Sequence, residues 1–351
     1  MIEAHPLQPG GQTAEEVARR VVAFLAEART TLDLALYDIR LPGEPGDLVA
    51  GALRDAAARG VAVRLAYNAD HDERALPPPP STKPELIESL PFPTVGIPGI
   101  PDLMHHKYVV RDGSAVWTGS TNWTTDSWTL QENVIVVADS AELAAAYAAN
   151  FEELWKVRDV DRSGHEEPRT MSVDGRPVRA WFTPGHGEEL SQRIAHAIGR
   201  ARKRIRIASP VLTAGPVIGT LAEVAAEAKV DLRGVVDRTQ LEQVFQQWRD
   251  NGRSAWKIPI LASVLEHADF RGKPSTTYAP DSPHDFMHAK VTVADDRVFA
   301  GSFNLSRSGE RNAENVVEVQ DAALADQMAA YIDEVRTRYE RMPAPAGALP
   351  T

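Results

Sequence analysis

With 351 residues, 43% of them hydrophobic, the chain has material for about two domains with cores of their own. No stretch approaches the roughly 20 uninterrupted apolar residues of a membrane-spanning helix. It holds no cysteine, which excludes disulfides, thiolate catalysis and cysteine-held metal. A net charge of −11 and a pI near 5.4 weigh against a broad nucleic-acid-binding face while leaving room for a local cationic cleft.

The opening residues, MIEAHPLQPGGQTAEE, have neither a basic n-region nor an apolar core, so no signal peptide is read and cytoplasmic residence is expected. Thr13 followed by Glu16 is a capping box at the head of a helix over 13–29. A strand is expected at 31–39, a helix near 47–59 and a strand at 61–68. The same order returns with a helix at 188–202, a strand at 204–212, a helix at 216–228 and a strand at 230–237. Strands alternating with helices predict an α/β chain of two layered halves. The return of the order marks a tandem duplication, divided as 1–165 and 166–351 and joined by a polar linker over 159–177. Two insertions, 69–103 and the longer 238–286, each run into a motif strand and are expected to border a pocket. The Pro77–Pro80 run reads as a stiff spacer.

The motif itself occurs twice, as MHHKYVVRDGSAVWTGSTNWT from Met104 and MHAKVTVADDRVFAGSFNLS from Met287. Each copy reads as a strand (apolar at Tyr108 and Val110, and at Val291 and Val293), a polar turn and a return strand. Alternation in a strand puts His105 beside Lys107 and His288 beside Lys290. Ser120 and Asn122, and Ser302 and Asn304, stand two apart after the return strand in the same way. An imidazole, an ammonium, a hydroxyl and an amide presented together make a phosphate-binding set that contains a nucleophile.

The pair of motifs resembles the signature of the phospholipase D superfamily, His-x-Lys-x4-Asp-x6-Gly-Ser-x-Asn. The first copy fits throughout; the second has five residues rather than six between Asp295 and Gly301, which predicts a shorter hairpin turn and an unchanged face. The resemblance implies two halves packed about a pseudo-twofold axis with one shared site, hence a monomer that is an intrachain pseudo-dimer. It implies phosphodiester cleavage or transfer through phosphohistidine, with His105 as nucleophile and His288 as acid/base. It also implies that an acid in the matched ENV triplets, Glu132 or Glu314, fixes each imidazole's tautomer. Lys107 and Lys290 would neutralise the phosphoryl charge and Asn122 and Asn304 donate to its oxygens. Asp112 and Asp295, at the turns, are expected to be structural, and no cofactor or metal is implied.

Phospholipid headgroups are the substrate favoured by the acidic charge, with nucleic acid as the rival and an idle, non-catalytic binding site as the reading of another class. Among other features, Trp117 reads as core, with Trp123 and Trp128 left open between core and a stacking role. Asp70-His71-Asp72 has no partner cluster that would make it a metal site. Arg200 to Arg206 reads as a solvated helix end matched to its dipole.

Overall fold

The computed structural model describes residues 1–71, 87, 89–279 and 282–345. Asp72 and the Pro77–Pro80 run lie outside the described residues. Strands β1 (Ile2–Leu7), β2 (Thr31–Leu36), β4 (Ala62–His71), β5 (Thr94–Gly99), β6 (Lys107–Arg111), β7 (Ala115–Gly119) and β9 (Asn133–Asp139) form one mixed sheet, ordered β1-β9-β7-β6-β2-β4-β5. A second contains β10 (Met171–Val173), β11 (Arg176–Phe182), β12 (Arg204–Ala208), β13 (Asp231–Asp237), β14 (Asp269–Lys273), β15 (Val291–Ala294), β16 (Arg297–Gly301) and β17 (Asn315–Gln320), ordered β10-β11-β17-β16-β15-β12-β13-β14. Short β3 (Ile39–Arg40) and β8 (Trp123–Thr124) pair with each other. With β10 set aside, the two orders are the same strand for strand. The matched parallel pairs are β2–β4 with β12–β13 and β4–β5 with β13–β14, and the matched hairpins are β6–β7 and β15–β16.

The helices make three layers around these sheets. Helices α1 (Ala14–Ala26) and α2 (Glu44–Ala58) cover the outer face of the first sheet through a cluster containing Val17, Leu25, Leu53 and Leu65. A short α3 (Thr125–Thr129) follows the first motif. Helix α4 (Ala141–Val157) lies between the sheets, sharing a core with residues of both, among them Tyr108, Phe151, Phe182 and Val293. On the second sheet's outer face sit α5 (Gly187–Arg200), α6 (Gly215–Glu227), α7 (Arg238–Asn251) and α8 (Lys257–His267). The short α9 (Arg307–Arg311) matches α3, and α10 (Ala322–Arg336) is the second central helix. The continuous core between the sheets is what holds one half against the other, through burial of apolar surface removed from water.

Several expectations change. The capping box at Thr13 is present, both hydrogen bonds included. The N-terminal residues, given no element in the sequence reading, form the edge strand β1, paired with β9. The expected linker carries the β10–β11 hairpin in its last residues. The 238–286 insertion is two helices and a parallel strand rather than a loop. The helix before β12 ends at Arg200, so Arg204 and Arg206 belong to the strand. Arg206 is buried, 5% exposed, and ion-paired with Asp231 and Asp333. Trp117, Trp123 and Trp128 are all buried in the outer cluster of the first sheet.

The glycines that close each motif are steric requirements. Gly119 has φ +136°, and a Cβ there would run into the Val134 carbonyl; at Gly301 it would run into the Asn315 carbonyl. The motif strand therefore lies against the strand that carries the ENV triplet at a distance only glycine permits. Gly119→Ala is expected to lower stability by about 3 kcal/mol in denaturant unfolding. Gly51→Ala, in α2 with open space around its Cα, is expected to raise it by about 0.5–1 kcal/mol. Equal effects of the two substitutions would contradict this packing.

Candidate active site

Each motif histidine is presented by a chain segment that crosses to the other half. Met104 bridges to Ala313 and Met287 to Glu132. The following backbone amides hydrogen-bond across as well, His105 to the Ala313 carbonyl at 2.9 Å and His288 to the Glu132 carbonyl at 3.1 Å. Matched side chains at the ends of β4 and β13 tie the crossing down, Asn68 accepting from Met104 N and Asp237 from Met287 N. As a result His105, His288, Asn122 and Asn304 line one cleft of about 350 Å3 between the halves.

The lysines stand behind the imidazoles. Lys107 Nζ donates to the carbonyl of His105 at 2.7 Å and Lys290 Nζ to that of His288 at 2.6 Å. Lys107 also lies 4.8 Å from the centre of the Tyr37 ring, whose edge meets His105. Burial pushes the Lys107 ammonium down to about 7, against the pull of Glu314 and Asp38. Burial and the neighbouring Lys107 push Lys290 well below its ordinary value. Burial, then the two lysines, drive His105 and His288 towards the neutral imidazole. Burial penalises the charge on each of these cationic groups, and an anion bound in the cleft would offset that penalty. The buried carbonyl oxygens of Asn122 and Asn304 have no protein partner, the same pattern in both halves.

The other predicted residues are placed less symmetrically. His105 Nδ1 meets Glu314 Oε2 at 2.7 Å, as the resemblance implies, with the carboxylate coming from the opposite half. Burial raises the Glu314 carboxyl to about 8 while the lysines and Ser302 oppose the rise. Glu132 does not do the same for His288. Its carboxylate accepts from Lys273 Nζ at 2.8 Å and from the Tyr339 hydroxyl. His288 Nδ1 meets Asn133 Oδ1 at 3.0 Å instead. Lys273 is the physical reason: a buried ammonium needs a buried anion, and Glu132 is the one it reaches.

Ser120 and Ser302 do not line the cleft. Ser120 Oγ donates to Asn133 Oδ1 and accepts from Val134 N; Ser302 Oγ accepts from Asn315 N. They lock the return strand to the strand beside it. Asp112 and Asp295 sit at the hairpin turns in left-handed backbone, φ 54° and 53°. There they receive the backbone amides of Arg29 to Thr31 and of Arg202 to Arg204. Although burial opposes ionisation, those amides hold both carboxylates below their ordinary range. The second turn is one residue shorter, and the two aspartates still take matched places.

The 238–286 insertion borders the cleft as expected, although sequence reasoning named none of the individual residues of the remaining wall. Tyr37, Asp38 and Arg40 follow β2; Thr239, Gln240, Gln243 and Gln247 come from α7; Tyr278, His284 and Phe286 precede the second motif. Asp38 and Arg40 pair with each other, and His284 stacks on Phe286. Among described residues of the 69–103 insertion, none lines the cleft; Asp102 pairs with Arg311 outside it. Among the described residues no group of three or more His, Asp or Glu could hold a metal ion, and no helix is long and apolar enough to cross a membrane.

Comparison with known proteins agrees with this architecture. The family model described as "Cardiolipin synthase, PLD-like domain" matches residues 21–155 and 194–336. The chain belongs to this family, within the phospholipase D superfamily. A mitochondrial cardiolipin hydrolase from Xenopus tropicalis is 29% identical over 144 residues, 40% of this chain and 61% of the relative. A phospholipase D from Rickettsia bellii is 33% identical over 129 residues, 36% of this chain and 60% of the relative. The chain thus spans about 60% of the length of these two relatives. The crystal structure of phosphatidylserine synthase from Haemophilus influenzae superposes with a TM-score of 0.69 over 96% of this chain and 86% of that one, at 13% identity, which is a likeness of fold.

Proposed function

We propose that the chain is a phospholipase D-type phosphodiesterase that works through a phosphohistidine on His105, with residues 1–165 and 166–351 as its two domains. The observation that carries this reading is the convergence of His105 and His288, from opposite halves, on one cleft backed by Lys107 and Lys290. A phosphodiester resists nucleophiles because it is an anion, so the lysines and the Asn122 and Asn304 amides would take its charge. His105 Nε2 attacks phosphorus and divides one displacement into two. His288 protonates the departing oxygen and then accepts a proton from water or an alcohol. Two imidazoles facing one anion titrate as a coupled pair, so the pH–rate profile should be bell-shaped and belong to both.

The surroundings of the cleft favour a phospholipid headgroup over nucleic acid. Strand-binding grooves carry a basic track, whereas here Arg40 is matched by Asp38 and the helix that lines the wall offers glutamines. Phosphatidylcholine and phosphatidylglycerol vesicles are expected to be hydrolysed, and plasmid or single-stranded DNA to survive under the same conditions. DNA cleavage with intact lipid would reverse this choice. Since the lysines fill the charge-neutralising role, turnover should be undiminished in excess EDTA. Activity lost to chelation and restored by added metal would contradict it.

A further inference from the structure

Among the described residues, Met1, Ile100 and Trp256 are the large apolar side chains left exposed. Single exposed apolar groups are ordinary on a protein surface, and Trp256 is set apart by where and how it is held. It stands between α7 and α8, 57% exposed, while the rest of the seven tryptophans are buried or half-buried. Its ring rests against the head of α6, where a Cβ at Gly215 would lie 3.8 Å from Trp256 Cη2. Lys257 Nζ lies 5.6 Å from the centre of the Trp256 ring and 5.7 Å from that of Trp248, and it donates to the Thr213 carbonyl at 2.8 Å. The indole is thus fixed in place with more than half of its surface in water.

Both segments that hold Trp256 belong to the cleft wall. Thr213 follows Pro210 and Val211, which line the cleft. The amides of Thr213 and Ala214 donate to the Leu305 carbonyl, one residue beyond Asn304. Helix α7 lines the same wall through Gln243, Val244 and Gln247, and the next residue, Trp248, is the second indole beside Lys257. Trp256 therefore stands at the lip of the cleft on the α7 side, and Val211 and Val244 continue an apolar path inward from it. The charge of this lip runs against that of the chain. Residues 248–257 carry Arg249, Arg253 and Lys257 against Asp250 alone, in a protein of net charge −11.

We infer that this lip is the surface by which the protein docks on an anionic phospholipid bilayer, with Trp256 entering the headgroup region and Arg253 and Lys257 supplying positive charge beside it. The inference rests on the phospholipid reading of the cleft. A headgroup phosphodiester lies in the bilayer interface, so the mouth of the cleft has to be brought down on the membrane. An indole suits that interface because its ring is apolar and its N–H is polar. Basic side chains next to it are drawn to anionic lipid, an attraction that salt screens.

Tryptophan emission reads the docking directly, since Trp256 is the exposed indole. In a His105→Ala background, so that no lipid is consumed, vesicles of phosphatidylcholine with phosphatidylglycerol are expected to shift the emission to the blue. Brominated acyl chains in the same vesicles should quench it. Trp256→Ala should remove both signals and weaken vesicle binding by roughly tenfold, whereas Trp256→Phe should keep most of the binding. Arg253→Glu should weaken binding to vesicles that contain phosphatidylglycerol and leave binding to pure phosphatidylcholine unchanged. In the otherwise wild-type chain, Trp256→Ala should turn over soluble bis(p-nitrophenyl) phosphate at the wild-type rate, which places its defect at the membrane and not in folding. Vesicles that the wild-type chain does not bind, or that Trp256→Ala binds equally well, overturn the docking surface. Quenching through Trp256 without headgroup release by the wild-type chain would leave that surface standing and remove the phospholipid reading beneath it.

Discussion

His105→Ala is expected to abolish phosphodiester turnover, by on the order of 10^4-fold or more, because it removes the atom that bonds phosphorus and leaves only binding and charge stabilisation. His288→Ala is expected to spare only the first step on activated substrates and to cost turnover about 10^2- to 10^4-fold, because breakdown of the phosphohistidine still needs a base. Both side chains line the cleft, His105 buried and His288 half-buried, yet each truncation opens space onto that cleft rather than inside the apolar core. Stability should therefore change far less than activity. Acid-labile phosphate trapped on a peptide containing residue 105 in quenched wild-type enzyme would identify the attacking imidazole. Label on residue 288 alone would exchange the roles, and wild-type rates from both alanine variants would remove the assignment.

Binding of a tetrahedral oxyanion should be accompanied by proton uptake and should weaken as pH rises through about 7 and 8. The sign follows from the burial of Lys107 and Glu314. Burial places Lys107 at about 7, so above that pH the ammonium that an anion needs is increasingly neutral. Burial places Glu314 at about 8, so above that pH a new negative charge appears beside the site. Both changes oppose an anion, and a bound anion in turn raises both groups' affinity for protons. Tungstate is the probe to use, since its own charge does not change in this range. Its affinity should fall by up to about tenfold per pH unit for each proton taken up. Calorimetry in two buffers of different ionisation enthalpy would count those protons directly. Lys107→Met should weaken binding at low pH and flatten the dependence. An affinity constant from roughly pH 6 to 9, with no buffer-dependent heat, would show that neither group changes its protonation when the anion binds.

Much of this was written in the order and spacing of residues. The duplicated motif, the strand–helix alternation and the Thr13 capping box depend on contacts between near neighbours in the chain, and local pattern reports local structure. The turn aspartates are a similar case, since a polar residue between two strand patterns marks a hairpin whatever lies around it. The shortened second turn kept its face for the same reason.

Residue order alone dictates the chemistry on offer: two imidazoles, two ammoniums and two amides, repeated at strand spacing, with an acid downstream of each set. How those groups are shared out depends on packing between the halves. The ENV triplets match in sequence, yet Glu314 reaches His105 while Glu132 is taken by Lys273 and Tyr339, side chains that no local spacing relates to it. Arg206 reads as a surface charge until Asp231 and Asp333 close over it. The edge strand β1 exists because β9 is there to pair with. A buried charge takes whichever opposite charge the packing brings within reach, and that choice is made by residues far apart in the chain.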